Sequence, residues 1–160
     1  MKTSDFHASA IVIAEAGVLI LGPSGSGKSA LAFRLIAAGA EAGYFARLVG
    51  DDRVGISTHG NRLIARGHAA ILGKIERRGH GIVEVPFLPA AVLRLAVRLA
   101  GPEEPIPRYP EPEQGHMDIA GVQLPCLPLR QDAALADLAF AVIADLRSRR
   151  LIPQALFVEP

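Results

Sequence analysis

The sequence has one cysteine, almost no excess of charge and no long apolar run. Cys126 alone cannot form a disulfide framework, and this scarcity is typical of a reducing compartment such as the cytoplasm. The 17 Lys and Arg residues nearly balance the 16 Asp and Glu residues, so no attraction to nucleic acid or to an anionic membrane is expected. The apolar stretch 11–21 contains Glu15 and Gly17 and is too short to cross a bilayer. These absences predict a cytoplasmic globular domain with neither nucleic acid nor a membrane as partner.

The residues that are present predict one α/β domain over 1–160. Hydrophobic residues make up 50% of the chain, which is enough for one substantial core. Helical spacing predicts a helix over 29–38 ending at Gly39 and a C-terminal helix over about 133–149, whereas 90–99 fits either a helix or a strand. Residues 101–115 are rich in proline and predict an irregular, mobile loop. Short apolar runs predict strands at 8–13, 17–21, 47–50, 54–57, 62–65, 82–85 and, as an edge strand punctuated by proline, 124–129.

A glycine-rich motif follows the second predicted strand and precedes the first helix. It matches G-x-x-x-x-G-K-[ST] at every fixed position, with the residues Gly22, Pro23, Ser24, Gly25, Ser26, Gly27, Lys28 and Ser29. Glycines let backbone N–H groups converge on phosphate oxygens, and the helix adds the positive end of its dipole. Lys28 can reach the β- and γ-phosphates, and the Ser29 hydroxyl can ligate Mg²⁺. A chance Gly/Ser turn is the alternative, but the strand–loop–helix order favours a site for ATP with Mg²⁺.

An acidic pair, Asp51 and Asp52, ends the apolar stretch 47–50. Open α/β sheets place ligand sites at such strand ends, and phosphoryl transfer needs an acid near the γ-phosphate to hold metal or to accept a proton. Adjacent strand residues point to opposite sides, so the two carboxylates are expected to have different roles. A solvated turn is the alternative, because Asp is common after strands.

Together these motifs resemble a specific family. His7, the loop 22–29, the Asp-Asp segment 48–54 and the segment 75–85 occur in the order seen in HPr kinase/phosphorylase. That family's signature is close to Glu-x-Arg-Gly-x-Gly-Ile-x-x-Val, which residues 76–85 reproduce. The resemblance runs from about His7 to Arg149. It implies a single phosphate-loop kinase domain of the HPr kinase and phosphoenolpyruvate-carboxykinase-like type, an α/β fold with short mixed sheets and flanking helices.

The resemblance also implies a reaction. Phosphate would pass from ATP to a serine of HPr, the phosphocarrier protein of a phosphotransferase system, with a possible reverse phosphorolysis by inorganic phosphate. Asp52 would be the base that takes the serine proton, and Lys28 would neutralise the transferring phosphoryl group. Ser29 and Glu76 would hold Mg²⁺.

Two further roles depend on the resemblance. His7 would sit beside the phosphates, and Asp51 would help with metal or water. Without the resemblance, His7 would be interpreted as a frayed N-terminal residue and Glu76 as a surface charge.

Departures from the family pattern concern chain length and access to the site. The separate N-terminal domain of longer members is missing, so a short form made of the catalytic domain alone is expected. Extra residues around 41–47 are expected to alter access to the site. The family's catalytic arginine lies in the mobile segment after the signature; Arg108 is its best candidate here, with a solvated loop cation as the alternative.

Another departure concerns the direction of the reaction. The family's Pro-Val-Arg-Pro-Gly-Arg segment, tied mainly to dephosphorylation, appears here as Pro-Leu-Arg-Gln-Asp-Ala at residues 128–133. The loss of one cation and the gain of Asp132 disfavour inorganic phosphate as a substrate. A kinase with weak or absent phosphorylase activity is therefore predicted.

Two other functions remain open. A phosphate-loop kinase for a small metabolite or another protein would share the loop but usually carries an arginine-bearing lid, and 101–114 contains only Arg108. A non-catalytic ATP-binding regulatory module would predict damage at Lys28, Asp52 or Glu76, and all three are intact. Long family members form hexamers, so the resemblance also implies a homo-oligomer.

Overall fold

Short strands and two helices make up the described part of the chain, residues 2–109, 111 and 115–154 of a computed structural model. The helices are α1 (Lys28–Glu41) and α2 (Leu135–Ser148), and a 3-10 turn spans Ala69–Ile71. The strands are β1 (Thr3–Phe6), β2 (Ser9–Ile13), β3 (Ala16–Leu21), β4 (Ala46–Gly50), β5 (Val54–His59), β6 (Arg62–Gly67), β7 (Lys74–Arg77), β8 (Gly81–Glu84), β9 (Ala90–Ala100), β10 (His116–Ile119) and β11 (Val122–Arg130).

Within these residues nine strands form one mixed sheet, and β7 and β8 form a separate hairpin. The path runs β1-β5-β6-β9-β3-β2-β4, with β11 beside β9 and β10 beside β11. Both β3 and β4 pair antiparallel with β2, so they run in the same direction. Their carboxyl ends therefore lie at one edge of the sheet, and the phosphate loop and the acidic pair meet there.

Hydrophobic residues cover both faces of this sheet. In β2, Ile11 and Ile13 join the cluster under the two helices, while Ala10 and Val12 join the cluster on the opposite face. Such alternation follows from the two-residue period of a strand. With side chains of both faces buried, the strands that carry the site have little freedom to shift.

The strand predictions are confirmed, and 90–99 is the strand β9. The prolines of β11 lie in halves that pair with different neighbours, Pro125 with β10 and Pro128 with β9, as expected for edge positions. Three strands were not predicted: β1, β7 and β10 have four residues each and burial that is at most partial along most of their length. Without a continuous apolar pattern such short strands have no local signal.

The predicted end of α1 at Gly39 is wrong. The helix continues to Glu41, and Gly39 is buried, where an added Cβ would lie 3.0 Å from the Cβ of Ala46. Gly43, with φ of 86°, ends the helix instead, through N–H bonds from Gly43 to Ala40 and from Tyr44 to Gly39. Gly39 thus serves close packing of the helix on the sheet.

The extra residues around 41–47 lie away from the site. The Tyr44 hydroxyl donates to the Pro153 carbonyl and accepts from Arg147 Nε of α2 at 3.0 Å. This segment leads into the amino end of β4, whereas Asp51 follows its carboxyl end, about 16 Å farther along a five-residue strand. The expected effect on access to the site is therefore not supported, because the segment docks on α2.

Candidate active site

The phosphate loop joins the end of β3 to the start of α1. Gly25 and Gly27 have φ of 78° and 98°, values that other residues rarely adopt, and Gly27 caps the helix. A Cβ on Gly22 would lie only 2.5 Å from the Ser26 Oγ, so glycine lets the loop close on itself. The first N–H groups of α1 have no partner within the helix and point out of its amino end. The loop therefore presents a concave set of donors.

Lys28 is buried within this loop. Its Nζ donates to the carbonyls of Gly22 at 2.8 Å and Pro23 at 3.0 Å, and the residue is 7% exposed. Burial lowers the pKa of the Lys28 ammonium from its usual 10.5, against the opposing effect of Asp52 and, less strongly, Asp51. The loop thus holds a poorly solvated cation, which an anionic ligand would stabilise.

Asp51 is a buried junction between three elements. Its Oδ1 accepts hydrogen bonds from the hydroxyls of Ser9 and Ser29, both at 2.7 Å. Its Oδ2 accepts from the backbone N–H of Glu76 at 3.3 Å. One carboxylate therefore ties β2, the first turn of α1 and β7 together and orients the Ser29 hydroxyl.

Asp52 points away from Asp51 into the open cleft. It has a φ of 65°, which is uncommon outside glycine, and its side chain is 71% exposed. Its Oδ1 lies 3.2 Å from Nδ1 of His7, whose Nε2 lies 3.5 Å from the Ser24 hydroxyl. The left-handed backbone at Asp52 separates the two carboxylates, in agreement with the different roles expected for them.

These residues surround a cleft of about 460 Å³. Two cations line it that were not predicted as site residues, Arg77 and Arg78. Their only sequence signal was a basic pair inside the 76–85 signature, which is ordinary for an exposed hairpin. The lining consists of His7, Ser9, Ser24, Gly25, Gly27, Lys28, Ser29, Ala30, Asp52, Glu76, Arg77 and Arg78.

The structure does not bring Arg108 to this cleft. Its guanidinium lies 5.9 Å from the ring centroid of its exposed neighbour Tyr109, and the residue is not among those that line the cleft. A catalytic role for Arg108 remains a prediction. Part of its predicted mobile loop, residues 110 and 112–114, lies outside the described residues.

Arg130 carries the altered 128–133 segment. Its Nε donates to Asp132 Oδ1 at 3.1 Å, and one Nη donates to the Pro102 carbonyl at 3.1 Å. The hydrogen bond between Arg130 and Asp132 raises the pKa of the arginine and lowers that of the aspartate. This arginine is therefore paired locally, and it does not line the cleft.

Neither a membrane-spanning helix nor a ready-made cluster of acidic, His and Cys ligands is found in the described residues. No helix there combines the length and apolar character needed to cross a bilayer. No group of three or more His, Cys, Asp or Glu side chains there could hold a metal ion by itself. A metal at this site would therefore need oxygen from serine or from a ligand.

Comparisons with known proteins agree with the geometry. The chain is 37% identical over 83 residues to an HPr kinase/phosphorylase of Mycoplasma mycoides subsp. mycoides, covering 52% of this chain and 25% of that protein. It is 43% identical over 88 residues to an HPr kinase/phosphorylase of Treponema pallidum, covering 54% of this chain and 26% of that protein. The chain thus spans about a quarter of the length of the curated relatives it matches.

The fold has a close counterpart among solved structures. The structure of the Hpr(Ser) kinase/phosphatase from Coxiella burnetii matches with a TM-score of 0.75 and 27% identity, over 92% of this chain and 91% of that chain. This confirms the predicted fold class. Residues 1–155 match the family described as the HPr Serine kinase C-terminal domain. Family match, relatives and fold agree, and the chain belongs to the HPr serine kinase C-terminal domain family.

Proposed function

We propose that this chain transfers the γ-phosphoryl group of ATP to a serine hydroxyl of an HPr-type phosphocarrier protein in the cytoplasm. One observation carries the proposal: the exposed carboxylate of Asp52 and the buried ammonium of Lys28 line the same cleft. Asp52 would be the base for the acceptor hydroxyl, and Lys28 would be the cation for the transferring group. Phosphoryl transfer depends mainly on such positioning and charge stabilisation.

The loop residues 22–29 would hold the phosphates of ATP. Their backbone N–H groups and the amino end of α1 supply donors. The Lys28 ammonium now contacts two neutral carbonyls. A phosphate group beside it would instead offer a full negative charge. The cost of burying the ammonium would then be offset by the ligand.

The oxygen donors around Ser29 fit Mg²⁺, which prefers hard oxygen ligands and usually completes its shell with substrate phosphates and water. Ser29 would be a direct ligand, and Asp51, which holds the Ser29 hydroxyl at 2.7 Å, would orient it. The exposed Glu76 lines the cleft and would be the second protein ligand. When bound, the ion would neutralise charge on the phosphate oxygens.

The serine oxygen would bond to the γ-phosphorus while the bond from that phosphorus to ADP breaks. Asp52 would accept the proton that the serine hydroxyl loses. Its contact with His7 at 3.2 Å would hold the carboxylate in place. In the reverse direction the same group, protonated, would return the proton.

The direct test mixes the chain with ATP labelled in the γ-phosphate and an HPr-type carrier. We expect label on the carrier and none on a carrier whose acceptor serine is replaced by alanine. Label transfer to a small metabolite but not to the carrier would favour a metabolite kinase. ATP binding without any transfer would favour a regulatory module.

We expect weak phosphorolysis, because Arg130 is paired with Asp132 and does not line the cleft. Incubation of phosphoserine-HPr with millimolar inorganic phosphate should release pyrophosphate far more slowly than the kinase reaction consumes ATP. Asp132→Gly, which removes the carboxylate paired with Arg130 and leaves the contact with the Pro102 carbonyl, is the matched variant. Pyrophosphate release by the wild type at a rate that rivals the kinase reaction would contradict the proposal.

We also propose that copies of the chain self-associate, as the family resemblance implies. Phe140, on the outer side of α2, is 72% exposed and offers one large apolar side chain that a second copy could cover. Sedimentation equilibrium measures the oligomeric state directly, and a strictly monomeric chain would contradict this part.

A further inference from the structure

Two neighbouring arginines occupy different parts of the cleft. Arg78 lies by the phosphate loop, with one Nη 3.8 Å from the position that a Cβ on Gly25 would take. Arg77 instead lies over α1, with its Cζ 4.0 Å from the ring centroid of Phe33. Both line the cleft. The two cations are therefore placed to contact different parts of one ligand.

The Phe33–Arg77 stack lies one helical turn from the phosphate end of the site. Phe33 follows Ser29 by four residues on α1, about 6 Å along the helix axis. Its ring is half-buried against the core under the helices, which limits its movement. The Arg77 guanidinium is thus held above a supported aromatic ring beside the phosphate site.

The positive charge and the N–H donors of Arg77 are available to a ligand. Within the part of the chain that the structure describes, its contact with Phe33 is the one interaction found for its guanidinium. A guanidinium above an aromatic ring can stack its other face on a nucleobase while its N–H groups stay free to donate to neighbouring acceptors. A lysine at this position could donate hydrogen bonds but has no planar group to stack on the base.

We propose that the Phe33–Arg77 stack is the platform for the purine base of the nucleotide bound by the loop. This rests on the proposed binding of ATP phosphates at 22–29. The phosphates would occupy the amino end of α1, and the base would lie one turn along, on Arg77. The competing role for Arg77 is a second phosphate cation, and the two roles differ in which part of the ligand loses affinity.

The test compares three ligands by calorimetry in the presence of Mg²⁺: a non-hydrolysable ATP analogue, ribose 5-triphosphate and inorganic tripolyphosphate. Arg77→Ala is expected to weaken the ATP analogue about tenfold, the scale of one lost stacking contact, and to leave the other two within about twofold. Arg77→Lys keeps the charge but loses the plane, so it should show the same selectivity. Phe33→Leu, which removes the ring beneath Arg77, should also weaken binding of the ATP analogue more than binding of the other two ligands.

Arg34→Ala is the matched control, because it removes an equal charge from α1 at a residue that pairs with Glu41 and does not line the cleft. All three affinities should stay near wild type, and thermal melts check that each variant is folded. Equal weakening of tripolyphosphate by Arg77→Ala, or no loss for the ATP analogue, would overturn the proposal. So would a wild type that binds the analogue no more tightly than ribose 5-triphosphate.

These outcomes are separate from failure of the proposed kinase reaction. A chain that binds the analogue through Arg77 but does not label an HPr-type carrier keeps the base platform and loses the acceptor. A wild type that binds none of the three ligands loses both.

Discussion

Asp52→Asn is expected to lower kcat for phosphorylation of the carrier by about 10²- to 10⁴-fold while ATP binding stays intact or tightens slightly. Asparagine has the shape of aspartate and tolerates the left-handed backbone found at this residue, but it cannot accept the serine proton. Removing a negative charge near Lys28 also removes repulsion toward the triphosphate. Single-turnover kinetics with saturating ATP, together with calorimetric binding of an ATP analogue, measure the two effects separately.

Two further variants test whether the loss of kcat is specific to Asp52. Asp118→Asn alters an exposed carboxylate on β10, outside the cleft, and should leave kcat unchanged. His7→Gln removes the imidazole that contacts Asp52 and should cost much less than Asp52→Asn. The opposite result would be a kcat that falls by about 10²- to 10⁴-fold in His7→Gln but stays within a few-fold of wild type in Asp52→Asn. In that case His7, and not Asp52, would be the proton acceptor.

Lys28→Met is expected to abolish measurable transfer, with a loss of at least about 10²-fold, and to leave the fold as stable or more stable at neutral pH. The cation that would neutralise the transferring phosphoryl group is lost. Burial, however, lowers the pKa of Lys28 in the folded chain, so keeping it charged costs folding free energy. Methionine fills similar space without that cost, although two loop carbonyls lose their donor.

The pH dependence gives the sign of this effect. The unfolded chain holds the Lys28 proton up to about its usual pKa of 10.5, and the folded chain releases it at a lower pH. The stability advantage of Lys28→Met should therefore be complete below the lowered folded pKa and should shrink as the pH rises toward 10.5. Urea unfolding at several pH values measures it.

Lys74→Met is the matched control, because Lys74 is exposed on β7. It should change neither transfer nor the pH dependence of stability. A Lys28→Met protein that still phosphorylates the carrier within tenfold of wild type would remove Lys28 from the reaction. One that unfolds well below wild type at neutral pH would show that the two carbonyl hydrogen bonds outweigh the burial cost.

Local patterns explain why much of the fold was predictable. The strands around the loop have continuous apolar runs, and the loop motif is eight consecutive residues whose conformation depends on its own glycines. Strands β1 and β7 lack such runs and form because partners lie beside them, Thr3–Phe6 against β5 and Lys74–Arg77 against β8. Gly39 was misassigned because a buried glycine and a helix-ending glycine look the same in sequence.

The phosphate loop at residues 22–29, the acidic pair after β4 and the family were determined by the sequence alone, since each depends on neighbouring residues in fixed spacing. Only the tertiary structure showed that Asp51 is buried and held by hydroxyls while Asp52 is exposed, because the hydroxyls of Ser9 and Ser29 come from distant parts of the chain. It likewise placed Arg77 on Phe33, 44 residues apart in sequence (77 minus 33). Contacts across such separations depend on how the strands and α1 pack, and no local pattern records that packing.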